Sequence, residues 1–376
     1  MDFKIVEIDL AKKKDLNAFI DLPWKIYKND PHWVPPLKMA VRDLLNPKHP
    51  FYKTADVKTW LAVKPDGEVI GRIMGIHNYT YNKYEKNNIG HFGFFEVIDD
   101  IAVSKALMDV AATFVKTKGM TSIQGPMNPG TNYECGILVD KFDDAPQIMM
   151  TYNPSYYVSH LDEMGLKKAM DLLAYNLEGP NFKLPDIIHA IADRTEKKSS
   201  ITYRKLNLKK WKEELDIMFD IYNSAWEENW GFVPMSKEEF YHTAKDLKSI
   251  VDPNLVNFTL VDGIEAGFIL SLPDLNQIFK TIPKGTLSLG AIYKIMTPKK
   301  RITRVRTVMM GIKKEYRKMG LETLLYRNSK RAIMKNPLYK DIEMSWILET
   351  NIEMNKPLLR MCGYAYKRYR LVEKAI

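Results

Sequence analysis

Apolar and polar positions alternate along this chain in two rhythms. Runs of period two predict strands over Phe3–Leu10, Trp60–Val63, Val69–Ile76, Gly90–Val97, Thr121–Gly125 and Asp171–Glu178. Runs of period 3.6 predict a helix capped by Asp15 that carries Leu16, Phe19 and Ile20. They also predict Val103–Lys118 with Val103, Leu107, Val110, Ala111 and Phe114 inward, and Tyr156–Met164 ending at Gly165. Pro65-Asp66-Gly67 joins two of the strands as a hairpin turn. Gly125–Gly136 is a glycine- and proline-rich loop. The pattern then restarts. Thr202–Leu208 predicts a strand, and Lys209–Glu227 a helix with Trp211, Leu215, Met218, Phe219, Tyr222 and Trp226 on one face. Phe258–Val261 and Ile264–Leu272 flank Asp262-Gly263, a second hairpin. Thr307–Ile312 and Asp341–Leu348 predict strands, Met354–Met361 a helix ending at Gly363, and Tyr366–Val372 a last strand.

Arithmetic supports a repeat. Asp66-Gly67-x3-Gly71 recurs as Asp262-Gly263-x3-Gly267, 196 residues on. Asn153 to Gly165 spans 12 positions, as does Asn351 to Gly363, at an offset of 198. Three landmarks in nearly one register predict two copies of one domain. The expected bounds are 1–178 and 200–376, joined by a linker helix within 179–199.

Arg304–Ile333 carries the densest signal. A buried strand is followed by the polar break Lys313-Lys314-Glu315-Tyr316. Arg317-Lys318-Met319-Gly320 then opens a helix with Leu321, Leu324, Leu325, Ala332 and Ile333 on one face. A glycine at a helix start lets a ligand approach, and the first turn offers unpaired N–H groups at the positive end of the dipole. That is a site for a phosphate, with Arg317 and Lys318 adding charge. The arrangement resembles the coenzyme A loop of the GCN5-related N-acetyltransferase (GNAT) superfamily, Arg/Gln-x-x-Gly-x-Gly/Ala after a splayed strand. Arg317-x-x-Gly320 matches it, and Glu322 stands where the third small residue would be. The resemblance implies an α/β fold of two tandem GNAT domains, each a mixed sheet flanked by helices. It places acyl-CoA on Met309, Met310, Gly311, Ile312, Arg317, Lys318, Met319, Gly320 and Leu321. On this reading Gly320→Asp abolishes acyl-CoA binding without unfolding the chain. The first copy has Ile98-Asp99-Asp100 in place of the loop, and two carboxylates repel a diphosphate, so only the second copy is expected to bind.

Composition narrows the classes. Of 376 residues, 45% are hydrophobic and 27% charged, a globular balance with no run long enough to span a membrane. Met1–Leu10 lacks the pattern of a signal peptide, and two cysteines make no disulfide framework, so a cytoplasmic location is expected. Seven scattered histidines show no ligand spacing, and no metal is expected. The net charge of +10 suits a polyanion: a nucleotide cofactor, tRNA or the inner membrane face touched peripherally. It is equally the ordinary solvated surface of a basic protein.

Acyl transfer to an amine needs oxyanion donors, a base and at most an acid. Met310–Ile312 supply the backbone donors. Leu348-Glu349-Thr350-Asn351 follows the strand beside the thioester, with Glu349 as base and Asn351 as amine orienter or helix N-cap. Glu96 and Glu134 are further base candidates. The superfamily's acidic tyrosine falls on Leu359, so Tyr364, Tyr366 or solvent would substitute. Asn223-x-x-Trp226-x-x-Asn229-Trp230-Gly231-Phe232-x-Pro234 lies where the fold binds its acceptor, making Asn229, Trp230 and, from the first copy, Glu134 substrate candidates. With Gly125-Pro126-Met127-Asn128-Pro129, Tyr152-Asn153-Pro154-x-Tyr156-Tyr157 and Trp346–Asn355, the whole chain resembles the bacterial ceramide synthase-like group of that superfamily. The group implies acyl-CoA and an amine as partners, a long-chain amino alcohol among the acceptors, and no nucleic acid. A short-chain acetyltransferase, a tRNA-dependent aminoacyltransferase and a non-catalytic binding module remain the alternatives.

Overall fold

The computed structural model describes residues 1–179, 183–245, 247–297 and 301–376. From the N-terminus come β1 (Lys4–Ile8), α1 (Lys13–Asp21), α2 (Pro23–Ile26), α3 (Lys38–Leu44), β2 (Ala55–Val63), β3 (Val69–Asn78), α4 (Tyr79–Glu85) and β4 (Ile89–Val97). Then follow α5 (Ile101–Thr117), β5 (Ser122–Gly125), the short strands β6 (Met127–Asn128), β7 (Glu134–Cys135) and β8 (Ile137–Leu138), α6 (Tyr156–Glu163) and β9 (Lys167–Glu178). The second series is α7 (Asp186–Glu196), β10 (Ile201–Lys205), α8 (Trp211–Trp226), α9 (Lys237–Ala244), α10 (Leu247–Ile250), β11 (Val256–Val261), β12 (Ile264–Pro273), α11 (Asn276–Phe279) and α12 (Leu289–Met296). It ends with β13 (Arg304–Ile312), α13 (Leu321–Ile333), β14 (Asp341–Leu348), α14 (Ile352–Cys362) and β15 (Lys367–Ala375). The helix expected near 180–198 is α7; residues 180–182 lie outside the described ones.

Two compact units emerge. One is Met1–Leu172 with Phe279–Leu287 and Lys367–Ile376; the other is Leu173–Ile278 with Ser288–Tyr366. In the first, strands run in the order β1-β2-β3-β4-β5-β15, antiparallel except for β4 against β5. The last strand does not close the series that precedes it. Val372 pairs with Gly125 and Tyr369 with Leu138, both of the first unit. Side chains alternate between faces, as the pleat requires. Trp60, Ile73 and Phe92 pack under α5 with Leu107, Ala111 and Val115, whereas Leu61, Met74 and Phe94 meet Phe19 and Ile20 of α1. A register shift between β3 and β4 sends Phe95 back to the α5 face, which explains the aromatic density of this strand. Asp15 caps nothing: α1 starts after Lys12, and the Asp15 carboxylate accepts from the Asp9 amide at 3.2 Å.

His91 on β4 is fully buried, with Tyr81 edge-on at 4.5 Å. Desolvation holds its imidazole at about 3, against an ordinary 6.5. The folded-state pKa is depressed, so the neutral ring's contribution is intact above pH 6.5 and lost as pH falls from there towards 3. Stability should drop by up to about 1.4 kcal/mol per pH unit in that window. In His91→Leu the acid slope should flatten, as read by urea midpoints between pH 7 and 4. An unchanged slope would clear His91.

The second unit repeats the plan. Its strands run β10-β11-β12-β13-β14, antiparallel except for β13 against β14. α13 packs on β11 and β12, burying Leu321 and Leu324 with Ala192 of α7, Ile201, Val261 and Ala266. α8 packs on β12 and β13, with Trp226 6.5 Å from Phe268. The five apolar residues expected to line one face of α13 are all buried.

Candidate active site

In the second unit two neighbouring parallel strands part company. β13 and β14 pair from Arg304↔Asp341 to Thr307↔Met344 and no further. On its other edge β13 keeps β12 up to Ile312↔Gly267. Residues 308–312 therefore lack a strand partner on the β14 side, the situation that leaves backbone N–H and C=O groups for a ligand. Val308 is a bulge residue: Leu270 faces Met309 and Ser271 faces Thr307, which skips it. The cleft so formed is lined by Val308, Met309 and Met310 on one side and by Ser345, Trp346, Ile347 and Leu348 on the other. Trp226, Asn229, Thr307, Tyr326, Met344, Asn351, Met354 and Leu358 complete it. Its empty space, open solvent included, is about 600 Å³. The walls are mostly apolar, with a few convergent polar groups, the usual make-up of a site for a small organic ligand.

A buried ion pair sits where the strands diverge. Glu343 of β14 is 0% exposed and Arg306 of β13 is 3% exposed, with Arg306 Nε 3.8 Å from the Glu343 carboxylate. Arg306 donates to Ser345 Oγ at 2.8 Å and to the Ser345 carbonyl at 2.9 Å. Ser345 and Tyr366 both donate to the same carboxylate. The network fixes the carbonyl and hydroxyl of Ser345, a cleft residue, and thereby the point of divergence.

The turn after β13 departs from expectation in one respect. The helix opens at Leu321, not at Arg317, and Arg317–Gly320 is non-helical, with Lys318 and Gly320 at φ 65° and 83°. No side chain caps α13. Gly320 is covered by α7: a Cβ there would lie 2.6 Å from Thr195 Oγ1 and 3.0 Å from Ile191. Gly320→Asp thus meets both a left-handed backbone and a packed neighbour, and it disturbs the fold as well as any ligand. Arg317 bonds the Ala225 carbonyl at 3.0 Å and Glu228 at 3.3 Å, and Lys314 bonds Glu227 and Glu228. Such exposed, solvent-screened pairs hold little net stability, so an anionic ligand can displace them. Gly311 is closed off: a Cβ on it would stand 2.3 Å from the Trp226 ring.

The first unit has the same divergence, sealed by its own chain. β4 and β5 pair only from Ile89↔Ser122 to His91↔Gln124. Beyond that, the Phe94 amide donates to Asn128 Oδ1 at 2.6 Å, and a Cβ on Gly93 would sit 1.6 Å from the Met127 carbonyl. Asp100 caps α5, accepting from Ala102 N at 2.9 Å, and Asp99 pairs with His160. The helix start that would meet a phosphate is occupied by a carboxylate. Glu96, also in this unit, is half-buried and accepts from Tyr27 at 2.9 Å and Tyr157 at 2.8 Å, with Arg72 at 3.8 Å. Burial raises its pKa above the usual carboxylate range, outweighing Arg72 and the two hydroxyls.

Of the residues singled out in the sequence, Met309, Met310, Asn229 and Asn351 converge on the cleft. Asn351 also caps α14, accepting from Met354 N at 3.2 Å. Glu349 is half-buried at the end of β14, next to Leu348 but outside the lining, and its carbonyl accepts from Asn355. Trp230 is half-buried and outside the lining too. Tyr364 is 66% exposed, beyond the C-terminal end of α14, and does not reach the cleft. Glu134 is exposed on β7 of the first unit.

The same architecture occurs in a tandem GNAT protein from the clavulanic acid biosynthesis pathway, with a TM-score of 0.57 at 12% identity over 100% of this chain and 98% of that one. No family model matches the chain. Protein YghO of Escherichia coli is 33% identical over 374 residues, 97% of this chain and 94% of its own. The bacterial ceramide synthase of Caulobacter vibrioides is 33% identical over 378 residues, 98% and 97% of the two chains. The chain belongs to the bacterial ceramide synthase-like group and has the tandem GNAT fold. In this ceramide synthase-like chain, fold and family are those of an acyltransferase. Sequence reasoning missed two features of its cleft. Tyr326 of α13 lines it and reaches Met354 Sδ at 3.8 Å, and burial pushes its phenol well above 10. Within an amphipathic helix it reads as one more core aromatic. Arg306 and Glu343 were also missed, because charged residues within strands read as a solvent face.

Proposed function

We propose that the second unit is an acyl-CoA:amine N-acyltransferase and that a long-chain sphingoid base is its acceptor. The observation that carries this reading is the unpaired edge of β13 after Thr307. The amide-bearing arm of coenzyme A takes the place of a strand along that edge, as an extended peptide does in strand addition. The diphosphate lies at the turn Arg317–Leu321, and the apolar walls from Met344 to Leu358 hold the acyl chain. The amine attacks the thioester carbon, and the C–N bond forms as the carbonyl electrons move to oxygen. Those backbone N–H groups between Met310 and Ile312 that face the open edge stabilise that oxyanion. Glu349, directly or through one water, takes the ammonium proton, and Asn351 orients the amine. The intermediate collapses with loss of the thiolate. Tyr326, which lines the cleft and is kept protonated by burial, donates a proton to it. In the first unit the corresponding edge is filled by Met127 and Asn128, which supports binding in the second alone. The identity to a named ceramide synthase supports the lipid acceptor.

The test is ligand-dependent melting of the purified chain. Palmitoyl-CoA should raise the midpoint well beyond acetyl-CoA. A larger shift with acetyl-CoA would move the reading to short-chain transfer, and a shift with neither would end it. Glu349→Gln should lower turnover about 10²-fold or more and leave the palmitoyl-CoA shift intact. Tyr326→Phe should slow turnover less, since a thiolate leaves readily without an acid.

A further inference from the structure

We infer that α12 is a docking helix that seats this protein on an anionic lipid surface. Leu289, Ile292, Tyr293 and Met296 fall at i, i+3, i+4 and i+7, the spacing of one helical stripe. In a folded chain such a stripe faces the core. Here it faces solvent: Leu289 is 88% exposed, Ile292 44%, Tyr293 58% and Met296 61%, while the small Ala291 is the buried contact. Single exposed apolar residues need no explanation, but four in one stripe do. The helix is well made, since Ser288 Oγ accepts from Ala291 N at 3.2 Å. The stripe is therefore built to be presented.

Charge decides what covers it. Between Asp274 and Glu315 the chain has no acidic residue. Lys294 lies within α12, and Arg301 stands 5.6 Å from the Tyr293 ring, at the rim of the stripe. Lys299 and Lys300 precede Arg301 in sequence and lie outside the described residues. A second copy seated on this face would bring cation against cation, and the stripe is small for a stable protein interface. An apolar stripe on a segment that carries cations and no acidic residue from 275 to 314 fits the boundary between anionic headgroups and acyl chains, where a two-turn helix lies in the plane. Among the described residues no helix is long and apolar enough to cross a membrane, so the attachment is peripheral and reversible.

The inference does not rest on the reaction, and its test needs no substrate. The full chain is sedimented with vesicles of phosphatidylcholine alone, or with about one third phosphatidylglycerol. Binding to the anionic vesicles should exceed that to neutral ones at least tenfold and weaken with added salt. Ile292→Asp with Met296→Asp should reduce it at least tenfold, and Arg301→Ala several-fold. Leu289→Ser with Met296→Ser guards against a charge artefact. Each variant should melt like the parent and keep the palmitoyl-CoA shift. Equal binding by parent and Asp variant, or equal binding to both vesicles, overturns the assignment. So does a parent dimer that the Asp variant dissociates while vesicle binding stays unchanged, because the stripe would then seat a second copy.

Discussion

Arg306→Ala should destabilise the second unit by about 3–5 kcal/mol, the largest loss expected from one substitution outside the apolar core. Glu343 is wholly buried. Without the guanidinium, among the described residues its charge keeps only the Ser345 and Tyr366 hydroxyls for company, and an uncompensated buried charge is costly. An intact pair does not stabilise by that amount, because desolvating both charges offsets most of their attraction. The double variant Arg306→Met with Glu343→Leu should therefore recover most of the loss, giving a coupling energy of about 3 kcal/mol or more in a cycle with its two single variants. Denaturant unfolding measures both. Additive losses would mean that the two side chains do not act as a pair. Turnover separates the roles further: a stable double variant that has lost acyl transfer would show that the pair aims the carbonyl and hydroxyl of Ser345.

The second large effect is on ligand binding. Val308→Trp places an indole at the bulge that faces the cleft. The unliganded melting point should shift by a few degrees at most. Stabilisation by palmitoyl-CoA, about 2.7 kcal/mol at a hundred-fold excess over Kd, should disappear. Retention of the full shift would put the thioester elsewhere. The same substitution at Phe94 would say nothing about ligand, because Asn128 already holds that edge.

Much of this was legible in the sequence. The hairpins at Asp66-Gly67 and Asp262-Gly263, the stripe of α13 and the end of α14 at Gly363 follow from local rules of turn chemistry and periodicity. What escaped was long-range. Gly320 reads as an opening for a ligand, yet α7, more than 120 residues earlier, closes one side of it. Asn153 and Asn351 keep one register in the repeat but do different things. Asn351 caps a helix, whereas Asn153 bonds the amide of Leu138 at 2.7 Å. Glu349 and Tyr364 stand out by position along the chain. Only coordinates distinguish a half-buried carboxylate beside the cleft from a phenol turned to water.

The final strand carries a consequence for synthesis. Lys367–Ala375 belongs to the first unit and pairs with Ser122–Gly125. Lys367–Ala375 must be synthesised before the half made first can be completed, so that half waits with an open edge exposed to strangers. Clipping a few residues from the C-terminus would injure the opposite end of the polypeptide, and neither half could be borrowed whole by cutting the gene in the middle.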